Sequence, residues 1–272
     1  MVQVPLIELP KPWLFFSAIM TVSLAYLVYA LVRKRRGWMR GIPDEPAQGH
    51  DRRRTIVIWV SEVLLQRQLY GLSRIRWFVH LLIFYGFVGL ILLYPIEIVL
   101  HASGLLAVTN TGARFYRDPI GYMIMKAWGD FFGLMLLAGL VLAGSRRLLV
   151  RQEQQKNDQA DLILLAFLVL ITATGFFLEG LRLAVLPGDV AKYSFVGQAF
   201  VPSGISLSQI QAVYTVSWAI HAILVASLIA YLPHSKLMHS LLAPIVIGLN
   251  ATSEQARTDL YWPDVNKYKP TR

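Results

Sequence analysis

Five stretches of this chain are apolar for long enough to cross a lipid bilayer, and no other feature limits its fold as strongly. They are Pro12–Val32, Trp77–Leu100, Ile120–Gly144, Leu162–Val185 and Val213–Leu232. A helix needs about 20 apolar residues to span the hydrocarbon. Backbone in hydrocarbon must satisfy its own hydrogen bonds, which leaves helices or a closed barrel. The runs lack the in–out alternation of barrel strands. The expected fold is therefore an all-α membrane protein, a bundle of five transmembrane helices. Only 15% of residues are charged, against about 25% in soluble domains. The first run follows a short N-terminus without a basic region or a small-residue cleavage site, so it reads as a retained helix rather than a leader.

The net charge of +10 invites a nucleic-acid reading, but its distribution argues for topology instead. Eleven Lys/Arg lie between the first and second runs, including Arg33–Arg36 and Arg52–Arg54; four follow the third run and five follow Pro233. The N-terminus and the opposite loops share Lys11, Arg114, Arg117 and Lys192. Positive-inside bias puts the N-terminus outside and the C-terminus in the cytoplasm. The expected location is the cytoplasmic (inner) membrane of a prokaryote, multi-pass, with no nucleic-acid partner. Residues 1–245 form one membrane domain, including the cytoplasmic segment 33–74, and 246–272 form a cytoplasmic tail. Within that segment, residues 55–69 carry apolar positions near helical spacing and suit a membrane surface or a partner. The outer loop 186–212 has turn signals in its PGD and VPSG. Zero cysteines exclude disulfides, cysteine-held iron–sulfur clusters and c-type haem attachment within this chain.

Ionisable groups inside a membrane are costly and point to function. Here they are His80, Glu97, Lys126, Asp130, Glu179, Arg182 and His221, with His101, His234 and His239 at the borders. His221 and His239 are 18 residues apart, about five turns and roughly 27 Å, so one helix would present both from one face. That register assumes the helix continues past Pro233. His80, just after the basic Arg74–Trp77, falls at the inner depth expected for His239. Two imidazoles at one depth suit the axial positions of a haem. Arg76, Arg146 and the neighbouring Arg74 and Arg147 suit its propionates. The same histidines suit copper or zinc, a proton relay, or a bond to a carbonyl. His101 is the other histidine at the outer end, either a second outer ligand or a plain loop residue. Gly129 and Gly133 form a small-xxx-small pair suited to close helix packing, and Asp130 suits a polar contact between helices. Trp13, Trp77, Trp128 and Trp218 read as belt or packing residues.

RWFVHLLIFYGFVGL (76–90), GLVLAGSRR (139–147) and YLPHSKLMHSLLAP (231–244) together resemble the gamma subunit of respiratory nitrate reductases. TATGFFLEGLR (172–182) is closer to the related membrane subunits of heterodisulfide reductases and of the sulfite-reduction-associated complexes. The resemblance covers about residues 12–245. It implies a cytochrome b with one or two b haems, two favoured, exchanging electrons between menaquinol and a soluble iron–sulfur partner. It implies His80 and His239 as ligands of the inner haem and His221 as one ligand of the outer haem. The nitrate-reductase pattern has a second histidine ten residues after the first. Leu90 stands there in this chain, which favours the heterodisulfide-reductase branch and leaves the outer haem's other ligand open.

Quinol oxidation needs a hydrogen-bond partner and a proton acceptor in a greasy cleft. Lys126 and Glu179, with Arg182 and Glu97 near the same outer level, are the candidates. Glu179 and Arg182, three apart on one helix, equally form a structural pair, and Arg182 suits a propionate. The expected partners are a cytoplasmic iron–sulfur subunit of the heterodisulfide-reductase type, further membrane or outer-face redox subunits, and the bilayer. The alternatives are a haem-free membrane anchor and a small proton-coupled transporter. The transporter reading lacks internal repeats and broken mid-membrane helices.

Overall fold

A computed structural model describes residues 12–38, 52–103, 106–108, 114–116, 119–149, 159–185 and 193–250. The tail beyond 250 and the side chains of Trp13, Glu97 and His101 lie outside what is described. Five helices are long and apolar enough to cross a membrane: α1 (Trp13–Trp38), α4 (Arg74–Ala102), α5 (Pro119–Leu149), α6 (Gln159–Leu183) and α7 (Leu207–Tyr231). Shorter helices are α2 (Arg52–Trp59), α3 (Arg67–Leu72) and α8 (Met238–Asn250). A small antiparallel hairpin, β1 (Leu106–Val108) with β2 (Arg114–Tyr116), aligns Ala107 with Phe115 between α4 and α5. Large apolar side chains stand exposed along α1 (Leu14, Val22, Val28) and α7 (Val216, Ile220, Ile223). Water would penalise those faces and lipid does not.

Helix limits follow local chemistry. Pro119 opens α5 where its missing N–H costs nothing. The last turn of α5 carries Arg146 and Arg147, and the first turn of α6 carries Asp161. Each charge suits its own helix dipole, and Arg147 Nη2 donates to Asp161 Oδ2 at 2.7 Å. Pro95 lies inside an unbroken α4.

The expectation of one helix running through Pro233 is corrected. The fifth span ends at Tyr231, a 3₁₀ turn covers Leu232–His234, Ser235 is extended, and α8 starts at Met238. Proline brings no N–H, and its ring clashes with the preceding turn. His221 and His239 therefore sit on different helices, and the five-turn register does not apply. The stretch 55–69 is likewise not one helix. It passes from α2 through a π turn closed by Leu65 N–H to Val60 O (3.1 Å). It then breaks at Gln66, a non-glycine residue with φ of 51°, a left-handed conformation that costs L-residues energy.

The chain separates into two compact units, Met1–Ala25 with Val79–Ala230, and Tyr26–Phe78 with Tyr231–Arg272. In the first, α4 and α5 approach at glycines. A Cβ on Gly86 would lie 2.5 Å from Leu136 N, and one on Gly89 would overlap the Phe132 ring. Trp128 Nε1 donates to Gly89 O at 2.7 Å. At one end of α6 and α7, Leu178 and Leu181 pack against Ile210 and Tyr214, with Trp218 beside them. In the second unit, Trp59 Nε1 donates to Pro244 O (3.0 Å) and Trp77 Nε1 to Leu65 O (2.7 Å). Lys34 Nζ donates to Pro233 O, supplying a donor to a carbonyl at the helix break.

Candidate functional site

The first unit gathers the intramembrane charges. Lys126 of α5 and Glu179 of α6 form an ion pair through Glu179 Oε1. Glu179 Oε2 accepts from Arg182 Nη2 at 2.9 Å. Glu179 is thus shared between two cations, so both the Lys126 candidate and the helix-face pair expected from the sequence meet in one triad. Lys126 is 5% exposed, while the Arg182 side chain keeps 40% of its surface open. Arg182 Nε is buried without a hydrogen-bond partner among the described residues. An unused buried donor is costly unless something accepts from it.

One turn along α5, Asp130 is 3% exposed and holds the connection between α6 and α7. Its Oδ2 accepts from Ser194 Oγ (3.0 Å), Val196 N–H (2.7 Å) and Gly197 N–H (3.4 Å). The short helical turn Gly197–Phe200 is thereby pressed onto α6. A Cβ on Gly197 would lie 2.7 Å from Glu179 Cγ, and one on Gly180 would overlap the backbone of Phe200. Phe176 and Phe200 stack with centroids 5.9 Å apart. The expected contact of Asp130 between helices is therefore a contact between α5 and a loop, and that loop packs against Glu179.

His221 of α7 lies half-buried against α6, its Nδ1 2.8 Å from Thr174 Oγ1. Thr174 precedes Glu179 by five residues, about 7.5 Å of helix rise. The triad and the histidine thus occupy neighbouring levels of α6. His80 is half-buried in the second turn of α4, and Arg76 is exposed in the first. Arg146 is half-buried in the last turn of α5. In the second unit His239 is exposed, with Nδ1 against Lys236 O. His234, expected at an interface, is exposed and meets Tyr26 Oη at 2.9 Å. Among the described residues no three His, Cys, Asp or Glu gather as ligands of a bare metal ion.

At His221 one ring nitrogen is engaged and the other lies on the opposite side of the ring, as a haem ligand would require. The ring is braced through Nδ1, which leaves Nε2 on the side away from Thr174, the arrangement of a ligating histidine with an outer-shell partner. Sequence reasoning missed Thr174, Ser194, Val196 and Gly197. A threonine near an intramembrane histidine is a weak signal, and backbone N–H donors carry none.

Five apolar helices with an ionic triad and a braced histidine define a multi-pass membrane protein. The family HdrE, named for a component of the dihydromethanophenazine:CoB--CoM heterodisulfide reductase, matches residues 56–247, and the chain belongs to it. The HdrE protein of Methanosarcina acetivorans is 25% identical over 227 residues, 82% of this chain and 76% of that protein. The HdrE protein of Methanosarcina mazei is 27% identical over 210 residues, 76% of this chain and 73% of that protein. The probable iron-sulfur-binding oxidoreductase FadF of Bacillus subtilis is 25% identical over 251 residues, 85% of this chain but 32% of that protein. No solved structure matches the chain. The chain is thus a membrane subunit of an oxidoreductase system, and the heterodisulfide-reductase branch of the sequence resemblance is the one the family match carries.

Proposed function

We propose that this chain is the membrane cytochrome b subunit of a respiratory complex. It exchanges electrons between a lipid-soluble two-electron carrier and a cytoplasmic iron–sulfur partner. The observation that carries the reading is the Lys126–Glu179–Arg182 triad with its part-open Arg182 guanidinium, about 7.5 Å along α6 from the level of the braced His221. The carrier is menaquinol or a reduced phenazine; the Methanosarcina relatives are named for dihydromethanophenazine. Both classes are flat, apolar and lose two electrons with two protons, so the site's demands are the same.

Oxidation of the carrier breaks two O–H or N–H bonds, releases two protons and leaves two electrons for the partner. The open part of the Arg182 guanidinium donates to a ring heteroatom and orients the carrier. Glu179 accepts the two protons one after the other as its bonds to Lys126 and Arg182 rearrange, each leaving to solvent at the open end of the site beside Arg182 before the next is taken. The turn Gly197–Phe200 packs against Glu179 and Gly180 and shields that face of the carboxylate from bulk water. A b-type haem supplies one-electron steps when bound; His221 is its proposed outer ligand, with His101 the candidate for the second. His80 and His239 are the proposed inner ligands on the sequence resemblance, with Arg76 and Arg146 for propionates. With no cysteine, this chain leaves iron–sulfur chemistry to a partner. FadF, named as iron-sulfur-binding, extends well beyond the 32% of its length that matches and supports that division of labour. The charge asymmetry supports a cytoplasmic C-terminus.

The test is a visible spectrum of the purified chain, followed by addition of menadiol or a reduced phenazine. Dithionite is expected to raise a b-type α band, and the reduced carrier to raise it in the wild type far faster than in Glu179→Gln. A flat dithionite spectrum would return the chain to a haem-free anchor.

A further inference from the structure

We infer that Thr174 is a positioning residue that fixes the tautomer and the ring plane of His221, presenting Nε2 as an unprotonated ligand. The inference rests on the function proposed above. Thr174 Oγ1 lies 2.7 Å from Leu170 O and 3.0 Å from Ile171 O. A hydroxyl has one proton. Two oxygens at 2.7 Å without a proton between them repel, so the Thr174 proton lies toward these carbonyls. Its remaining capacity is as an acceptor. The imidazole nitrogen 2.8 Å away must then be the donor, so Nδ1 carries the proton and Nε2 the lone pair.

The ring is also held on its edge. Gly175 follows Thr174, and a Cβ there would stand 3.6 Å from His221 Cε1. The imidazole therefore lies against the backbone of α6, with one nitrogen bonded to that helix. Nε2 lies across Cε1 from the bonded atom and faces away from Thr174. A neutral histidine in a polar solvent exchanges between tautomers, and here the choice is made by the back-bonded hydroxyl of a neighbouring helix. An acceptor on Nδ1–H also makes the ring a stronger donor toward ferric iron.

Thr174→Val keeps the shape and removes the acceptor; Thr174→Ser restores it. In haem-free protein with ¹⁵N-labelled histidine, the wild type is expected to show His221 as the Nδ1–H tautomer. Valine should lose that signature and serine keep it. In haem-loaded protein, valine should raise the midpoint potential of one haem and lower haem affinity by about tenfold or more, with serine near wild type. An Nε2–H tautomer in the wild type overturns the inference, as does a valine variant with unchanged potential and affinity, or a serine variant that behaves like valine. A wild-type chain that binds no haem sinks the proposed function, while the ¹⁵N tautomer still decides the role of Thr174.

Discussion

Neutralising each member of the triad in turn has unequal consequences that the geometry ranks. Lys126 and Arg182 each contribute +1 and Glu179 contributes −1. In Lys126→Met, Glu179 keeps its 2.9 Å partner Arg182, so a neutral pair remains. The loss includes the bond between Lys126 and Glu179, about 1.5–3 kcal/mol. In Glu179→Gln, two cations face a neutral amide. Arg182 reaches solvent, with 40% of its side chain exposed, but Lys126 has 4% and cannot. Taking the carboxylate away from a cation this buried costs up to about 3–5 kcal/mol. In Arg182→Gln, Glu179 retains Lys126, and the lost pair is partly solvent-screened, so the cost is about 0–1 kcal/mol. Thermal unfolding of the detergent-solubilised variants, followed by tryptophan fluorescence, should order them Glu179→Gln, Lys126→Met, Arg182→Gln from least to most stable. The double variant Lys126→Met/Glu179→Met should recover part of the Glu179→Gln loss, because neighbours in one ionic network are not additive. An Arg182→Gln variant as unstable as Glu179→Gln would refute this account of which cation depends on the carboxylate.

Asp130→Ala should release the loop that packs against Glu179: the N–H groups of Val196 and Gly197 lose their acceptor, about 3 kcal/mol together. Hydrogen exchange at those two amides should accelerate by about a hundredfold, while α6 amides stay protected; unchanged exchange would deny the clamp. Gly86→Ala would set a methyl 2.5 Å from Leu136 N, a backbone atom with no freedom to step aside, and should destabilise by about 1–3 kcal/mol. Gly129→Ala, whose methyl would meet, among the described residues, only Leu93 Cδ1 at 3.8 Å, should be neutral or stabilising through helix propensity, and the two variants compared by thermal unfolding test the packing.

The five spans were legible because lipid reads only length and hydrophobicity, and Leu162–Val185 or Ile120–Gly144 satisfy both without help from neighbours. The pairing of Glu179 with Arg182 was legible from helical spacing, and Lys126 from its depth. The ending of the fifth span at Tyr231 was not settled by sequence, because prolines are tolerated inside membrane helices, as Pro95 is in α4. What distinguishes Pro233 is the following extended Ser235 and the Lys34 donor, both of which depend on tertiary context. Asp130 was visible as a buried acid, but its partners are two main-chain amides and a serine in a polar loop, which no residue pattern advertises. Thr174 was hidden for the same reason: its role depends on which helix lies opposite.

Lys34 and the carbonyl of Pro233 are 199 positions apart, and Tyr26 and His234 are 208 apart. A ribosome releases the lysine long before the proline exists. During synthesis Lys34 must therefore be held by water or lipid headgroups until the turn at Pro233 arrives. Assembly of this end of the molecule can therefore begin only after Pro233 has been made, which couples the packing of the first span to the completion of the fifth.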